Sequence, residues 1–318
     1  MTTEDRASSV AVQEVKQRSL TGRRAELRHA YTLWKKNPVV VAGSVIAVSS
    51  ILIALLSGVV VNPNIWKVQQ LDQRLCWNNP AFSWPVPNLY NCPGPAYALG
   101  TDAYGRDLFQ MIILALPLDL EISLSIVLLA TLIGVVLGSL AAYAGGKIDE
   151  LILRVTDVFL ALPALVLAIL FMVVLGRTIT NLTIAVLITW WPFYVRLIRS
   201  QVLSEKEKPY VEALRSTGAS PLRILFLHIL PNSIYVMFVQ ITLDIGSVIL
   251  TFSALMFLGF SPNPLLPELG NLVTSGINYV FTAPWLIIFP GLTIVVVVLG
   301  FNLLGDGMRD ILDPRLSR

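Results

Sequence analysis

Six apolar runs, each long enough to cross a lipid bilayer, constrain this chain more than any other feature of its sequence. They are Pro38 to Val61, Ile122 to Tyr143, Val155 to Leu175, about Leu182 to Val202, Ile234 to Phe260 and Pro284 to Leu304. In hydrocarbon a backbone amide finds its partner only within a helix or a closed barrel, so runs of about 18 residues or more read as spanning helices. The fold class expected is therefore all-α, a polytopic membrane protein. Composition agrees, with 55% hydrophobic residues, 14% charged residues and a mean hydropathy of +0.72, far from an ordinary soluble domain. Arg196 and Arg199 fall in the last turns of the fourth run, where long arginine stems reach the interface.

Basic residues set the expected orientation, because Lys and Arg accumulate on the cytoplasmic side. With the amino terminus inside, the tail, the loop holding Lys147 and Arg154, the segment between the fourth and fifth runs and the carboxyl tail hold 19 of the 23 Lys and Arg. The remaining four, Lys67, Arg74, Arg106 and Arg177, fall outside. Both termini are thus expected in the cytoplasm. The polar tail is too long for a signal-peptide n-region and the run after it too long for an h-region, so that run is expected to stay as an anchor. The basic excess of the tail suits the lipid of the inner leaflet.

The only cysteines, Cys76 and Cys92, lie in the outer segment between the first two runs. An even number in an oxidising compartment favours a disulfide over two free thiols. Closing a loop of about 15 residues contributes roughly 3 kcal/mol on a chain-entropy estimate.

The segment from Asn62 to Ala98 reads as a loop. Thr101 and Asp102 are candidate helix N-caps, with Arg106 at helical ion-pair spacing from Asp102. The apolar stretch Leu108 to Leu116 is too short to cross and is expected along the outer face, with Pro117, Asp119 and Glu121 marking a bend into the second span. The division expected is a tail at 1–37, a spanning helix at 38–61, an outer loop with an interfacial helix at 62–117, a core of five spanning helices at 118–305 and a tail at 306–318. The core contains a cytoplasmic loop at 204–231.

That loop is polar and lies between two spans. Glu205, Lys206, Glu207, Lys208 and Pro209 read as a solvated, helix-starting cluster. Glu212 to Thr217 fits a short helix that Gly218 can end by accepting positive φ. Ser220 and Pro221 fit the cap and first position of a second helix, to which Leu222, Ile224 and Leu225 give an apolar side. Two short helices joined at a glycine make a rigid protrusion suited to a cleft on a soluble partner.

The spacing of Glu212, Ala213, Gly218, Leu230 and Pro231 resembles the EAA loop of ATP-binding-cassette importer permeases. The resemblance extends over most of the chain: LGTDAYGRD at Leu99 to Asp107, AAYAGGKIDELILRVTDVFLALP at Ala141 to Pro163, APWLIIFPG at Ala283 to Gly291, and the closing stretch Phe301 to Asp310 with Leu312 to Arg315. The chain is similar in these respects to the C-type subunits of the oligopeptide and dipeptide, binding-protein-dependent transporter family. That resemblance implies a type I importer permease fold. It makes Glu212, Ala213, Leu214, Arg215, Gly218, Ala219, Ser220, Pro221, Leu230 and Pro231 the element that couples to an ATPase. It places Asn302, Gly305, Asp306, Arg309, Asp313 and Arg315 at the cytoplasmic close of the sixth span. The partners implied are a B-type permease, two ABC ATPase subunits and an extracytoplasmic solute-binding protein, with no nucleic acid.

Departures from the family pattern bear on cargo. Phe252 stands where relatives tend to have Glu, SFLG reads Met256 to Gly259, Leu269-Gly270 replaces Trp-Gly, and the third EAA position is Leu214. Phe252 and Met256 are candidates for the substrate path, and oligosaccharides or another small solute are the alternative cargo to peptides. Asp244, near the middle of the fifth run, is a third path candidate, since a mid-membrane ionisable group needs a partner or water. The alternative is a structural hydrogen bond to Thr242, Ser247 or a neighbouring subunit. Asp157 reads as structural near the inner face, and Asn181-Leu182-Thr183 matches a glycosylation acceptor.

No phosphate loop of the form GxxxxGK[ST] occurs in the sequence, so ATP and Mg are expected only on partner subunits, with no cofactor or metal on this chain. HExxH and GxSxG are also missing, and the two histidines, His29 and His228, are too few for a metal cluster. An enzyme is therefore not expected. A secondary transporter would carry an inverted repeat, and none is visible.

Overall fold

The computed structural model describes residues 37–62 and 97–312, together with Thr32, Trp34 and Lys35. Among the described residues the structure is helical, with one isolated bridge between Thr101 and Asp107. The Cys76–Cys92 pairing, the amino-terminal tail and the positions Asp313 and Arg315 lie outside the described residues.

The first span, α1, runs Pro38–Val60, with the Asn37 side chain accepting from the Val39 amide and Pro38 at the first helical position. The second, α2, is a single helix of 37 residues, Leu108–Ala144. Among the described residues no separate interfacial helix precedes it: Leu108 to Leu116 are its first turns, and the expected boundary at residue 117 falls inside it. Pro117 removes one amide donor without ending the helix. The upstream turns are held by burial instead: Leu108, Met111 and Ala115 are fully covered by the rest of the chain. Such a helix is about 55 Å long, well beyond a 30 Å hydrocarbon layer, so its first turns pack on protein rather than along lipid.

After the turn at Gly145 (φ +64°), which an L side chain rarely adopts, the third crossing is broken. Helix α3, Gly146–Leu160, and α4, Ala164–Leu175, meet at 87° across Ala161 to Pro163. The next span, α5, Ile179–Lys206, fixes how the pair lies. Arg199 near one end of α5 holds Asp149 of α3 through two bonds of 2.6 Å. At the other end of α5 the Asn181 amide donates to the Leu175 and Gly176 carbonyls at the close of α4, at 2.6 and 3.1 Å. Helix α4 thus packs beside α5 while α3, turned by 87°, crosses its end; counted as one broken crossing, the pair brings the five unbroken spans to six among the described residues.

The loop beyond α5 contains α6, Pro209–Ser216, and α7, Pro221–Ile224, followed by a π-turn, Leu225–Ile229, and α8, Leu230–Ser233. Span α9, Tyr235–Leu255, ends in a second π-turn, Met256–Phe260. A short helix, α10, Leu269–Gly276, precedes the last span, α11, Trp285–Leu312.

Spans approach closely through glycines, as in membrane bundles where lipid supplies no hydrophobic drive and contact area must come from fit. A methyl on Gly134 would lie 2.3 Å from Tyr194 Cβ, and one on Gly138 would lie 2.6 Å from the Val195 carbonyl, which brings α2 against α5. Gly43 and Gly300 do the same between α1 and α11, at 2.6 Å from Leu303 Cβ and 2.5 Å from Ile46. Exposed Val59, Leu55 and Val174 leave an apolar perimeter.

Candidate functional site

The loop between α5 and α8 is built on a buried foot. Glu205, in the last turn of α5, is covered to 6% exposure, ion-paired to Lys208 and accepting a hydrogen bond from the Tyr210 hydroxyl at 3.0 Å. Burial, and then the Glu205 carboxylate, raise the Tyr210 phenol above its usual range. Lys206 donates from Nζ to the Ala142 and Tyr143 carbonyls at 3.1 and 3.4 Å. It thereby satisfies orphan carbonyls at the end of α2 and complements the helix dipole. The expected solvated cluster at 205–209 is thus a structural anchor: Glu205 and Lys206 face the bundle, while Glu207 and Pro209 remain exposed.

On this foot stand α6 and α7. Pro209 opens α6, and its end is a Schellman arrangement in which Gly218 (φ +77°) donates to the Arg215 carbonyl at 3.0 Å and Ala219 to the Leu214 carbonyl at 3.2 Å. Ser220 occupies the cap position of α7 without a side-chain capping bond, and Pro221 begins the helix. Val211, Ile224, Leu225, Ile229 and Leu230 bury against the bundle. Glu212, Ala213, Arg215, Gly218, Ser220, Pro221 and Pro231 are exposed, and Leu214 and Ala219 are half-buried.

The apolar side expected of α7 divides: Ile224 and Leu225 turn inward, whereas Leu222 is 65% exposed. With Phe226 at 55% and Leu227 at 62%, about one turn farther along, it leaves an uncovered apolar patch next to the exposed Arg223. A patch of this kind marks a contact surface. Phe226 and Leu227 are absent from the expected set because the π-turn at 225–229 inserts a residue and breaks the 3.6-residue period.

At the opposite end, LGTDAYGRD forms a clasp, not a helix start. Asp102 Oδ1 accepts from the Tyr104 and Arg106 amides, each at 2.9 Å, and Asp102 Oδ2 pairs with Arg106 at 2.6 Å. Both side chains are buried, and Arg106 also donates to the Leu265 carbonyl at 2.9 Å. The true cap of α2 is Asp107, accepting from Phe109 at 2.9 Å, because Gly105 (φ +78°) turns the chain before a helix can form. The Thr101 carbonyl accepts from Trp285 at 3.1 Å, tying the clasp to α11. Below it lie two buried carboxyls, Asp119 of α2 and Glu268, the cap of α10. Asp119 accepts from the Leu269 amide at 3.3 Å, and Glu268 accepts from Ser253 and the Asn271 amide at 2.9 and 2.7 Å. Burial pushes the Glu268 carboxyl above its ordinary range.

Phe252 and Met256, expected on the substrate path, are buried in the core of this chain. They pack between spans in this chain. Asp244 is also buried; it accepts from Gln240, one turn earlier on α9, at 3.0 Å, and Tyr194 and Trp190 of α5 face it. Thr242 and Ser247 instead return their hydroxyls to backbone carbonyls of α9. Asp157 pairs with Arg196 of α5, and the two are 57% and 50% exposed. The Asn181 amide is engaged by the α4 end, which uses the group a glycan would need. In the closing stretch Gly305 and Gly307 face the bundle, whereas Asp306 and Arg309 are exposed.

This arrangement of spans and loop has counterparts among known proteins. A dipeptide transport system permease protein DppC from Alkalihalophilus pseudofirmus is 37% identical over 290 residues, covering 91% of this chain and 90% of that one. A di/tripeptide transport system permease protein DppC from Pseudomonas aeruginosa is 43% identical over 221 residues, covering 70% and 73%. An oligopeptide transport system permease protein OppC from Bacillus subtilis is 35% identical over 240 residues, covering 74% and 79%. Among solved structures, an inward-facing MetNI methionine ABC transporter chain superposes with a TM-score of 0.50 at 17% identity, over 65% of this chain and 98% of that one, a likeness of fold. The family model described as binding-protein-dependent transport system inner membrane component matches residues 134–318. The chain belongs to that family of transport permeases, a multi-pass membrane protein with the type I importer fold.

Proposed function

We propose that the chain is the C-type permease subunit of an ATP-driven, binding-protein-dependent importer of short peptides. The carrying observation is the exposed helix pair of α6 and α7, closed at Gly218 and tied by Lys208 and Tyr210 to the buried Glu205. A rigid protrusion transmits a push; a flexible one absorbs it. Glu212, Ala213, Arg215, Ser220 and Pro221, with the patch of Leu222, Phe226 and Leu227, form the surface that sits in an ATPase cleft. Peptide cargo is supported by the names of relatives that match most of the chain.

The same reading gives both termini a cytoplasmic position, supported by the distribution of the 23 basic residues. A B-type permease completes the passage, an extracytoplasmic protein delivers solute, and two ATPases bind ATP and Mg. This chain is not itself an enzyme.

Deleting Glu212 to Arg223 tests the docking role by co-purification. The expected result is loss of the ATPase subunits from a complex that keeps its second permease. Retention at normal stoichiometry with normal uptake sinks the reading. Leu222→Glu combined with Phe226→Glu, which leaves the foot untouched, is expected to give the same loss.

A further inference from the structure

Asp119 of α2 and Glu268, the cap of α10, meet where acceptors outnumber donors. Both carboxyls are buried, and each lies within hydrogen-bonding reach of the other. Glu268 accepts from the Ser253 hydroxyl of α9 at 2.9 Å and from the Asn271 amide at 2.7 Å, and the Gly270 amide faces it as well. Asp119 Oδ2 accepts from the Leu269 amide at 3.3 Å, whereas buried Asp119 Oδ1 accepts from no group among the described residues. An ionised carboxylate only accepts hydrogen bonds; a protonated one also donates. A buried oxygen that faces a second carboxyl and has no donor of its own is therefore short of one proton.

Charge leads to the same count. Two ionised carboxylates side by side in a low dielectric repel strongly, so one of them keeps its proton unless a cation comes between. Among the described residues the cations at this end of the bundle are Arg106 and Arg177, and both are engaged elsewhere. Arg106 pairs with Asp102 and donates to the Leu265 carbonyl, and Arg177 lies over the Phe260 ring at 5.6 Å. The elements packed on α10 bring no charge to the pair. Ser253 faces it from α9, the π-turn Met256–Phe260 is apolar, and Trp285 of α11 donates to the Thr101 carbonyl. On α2 itself Glu121 is exposed and Asp107 caps the first turn.

We infer that Asp119 and Glu268 bind one proton between them, and that this proton latches α10 to α2 at the end of the bundle opposite the α6–α7 loop. The proton belongs to the pair and not to either residue. While it is held, one carboxyl donates to the other and the start of α10 stays on α2 through the Leu269 amide. Gly270 seats the same turn on α9, where a methyl would lie 2.1 Å from the Ser253 carbonyl oxygen. Loss of the proton sets two facing charges in this tight joint and drives the start of α10 from α2. The closed form keeps its proton above the ordinary carboxyl range of about 4, where an open form has released it. Closure is therefore at full strength below that range and weakens as pH rises toward the higher value of the pair.

Hydrogen exchange of the α10 amides, corrected for base catalysis of exchange itself, tests the latch on the full chain purified with its partners. Protection at Leu269 and Asn271 is expected to fall about tenfold per pH unit from about pH 5 upward. It is expected to stay level in Asp119→Asn, whose amide nitrogen takes the place of Oδ1 and donates to Glu268 at every pH. Glu268→Gln supplies an N–H from the other side and is expected to behave alike, so a folding defect in one variant leaves the other to judge. The same pH dependence in the native protein and in each variant that folds overturns the latch. Infrared difference spectra at about pH 6, native minus Asp119→Asn, read the proton itself, because exposed carboxyls are ionised there. The carbonyl band of one protonated carboxyl is expected, and a spectrum without it overturns the shared proton.

Discussion

The Tyr210 hydroxyl donates to the buried Glu205 carboxylate at 3.0 Å, and this bond ties the first turn of α6 to the last turn of the span before it. Tyr210→Phe keeps the ring and removes the bond, at an expected cost of about 1 kcal/mol to the foot. Because the folded phenol titrates above its unfolded value near 10, its contribution is complete below that pH and is lost as pH rises through the higher folded value. Proteolysis of the loop followed across alkaline pH should show this dependence in the native protein and not in the variant.

Gly218 holds φ at +77° with no atom within 4 Å of a built Cβ, so the cost of Gly218→Val is backbone strain and not a clash. A β-branched residue there is expected to cost on the order of 1–2 kcal/mol locally and to loosen the α6–α7 corner. ATPase co-purification should fall several-fold while the yield of folded permease stays near normal. Unchanged ATPase retention counts against a rigid corner.

Gly134 presents the opposite case. A methyl would lie 2.3 Å from Tyr194 Cβ, so Gly134→Leu forces α2 from α5 along the seam. The expected cost exceeds the 1–3 kcal/mol of ordinary overpacking, read as a clear fall in the melting temperature of the detergent-solubilised protein.

Arg106→Ala leaves Asp102 buried without its cation, a change expected to cost roughly 3–5 kcal/mol. Replacing both, with Asp102→Ala added, should recover part of that loss. A double variant as unstable as the single one would show that the clasp depends on the backbone bonds of Asp102 more than on the ion pair.

Glu268 is raised by burial, so its folded form binds a proton more tightly than its unfolded one. Its stabilising contribution is present below the unfolded value of about 4.3 and is lost as pH rises through the folded value. Glu268→Gln, which keeps an acceptor for the Asn271 amide, is expected to flatten the dependence of melting temperature on pH above that point.

Helices α6 and α7 show how far local signals carry. Gly218 and Pro221 announce a helix end and a helix start by rules that involve only neighbouring residues, and both fall where expected. Leu222 does not, because whether an apolar side chain is covered depends on what packs beside it, and Phe226 escapes the pattern because the π-turn moves the register. Leu108 to Leu116 reads as a separate surface segment for the same reason: Pro117 and Asp119 look like a bend until Leu269 and the rest of the bundle close over them.

The sequence by itself determined that the chain crosses a membrane, where five of the six crossings lie, that a polar glycine-jointed loop leaves the bilayer, and which family it resembles. These follow from apolar length and local backbone preference, which need no distant partner. Only the tertiary structure decided that the third crossing is broken at Pro163, that Phe252 and Met256 are buried between spans, and that Asp157 meets Arg196 in an exposed pair. Burial and charge pairing are properties of residues far apart in the chain, 39 positions in this last case, and no local pattern records them.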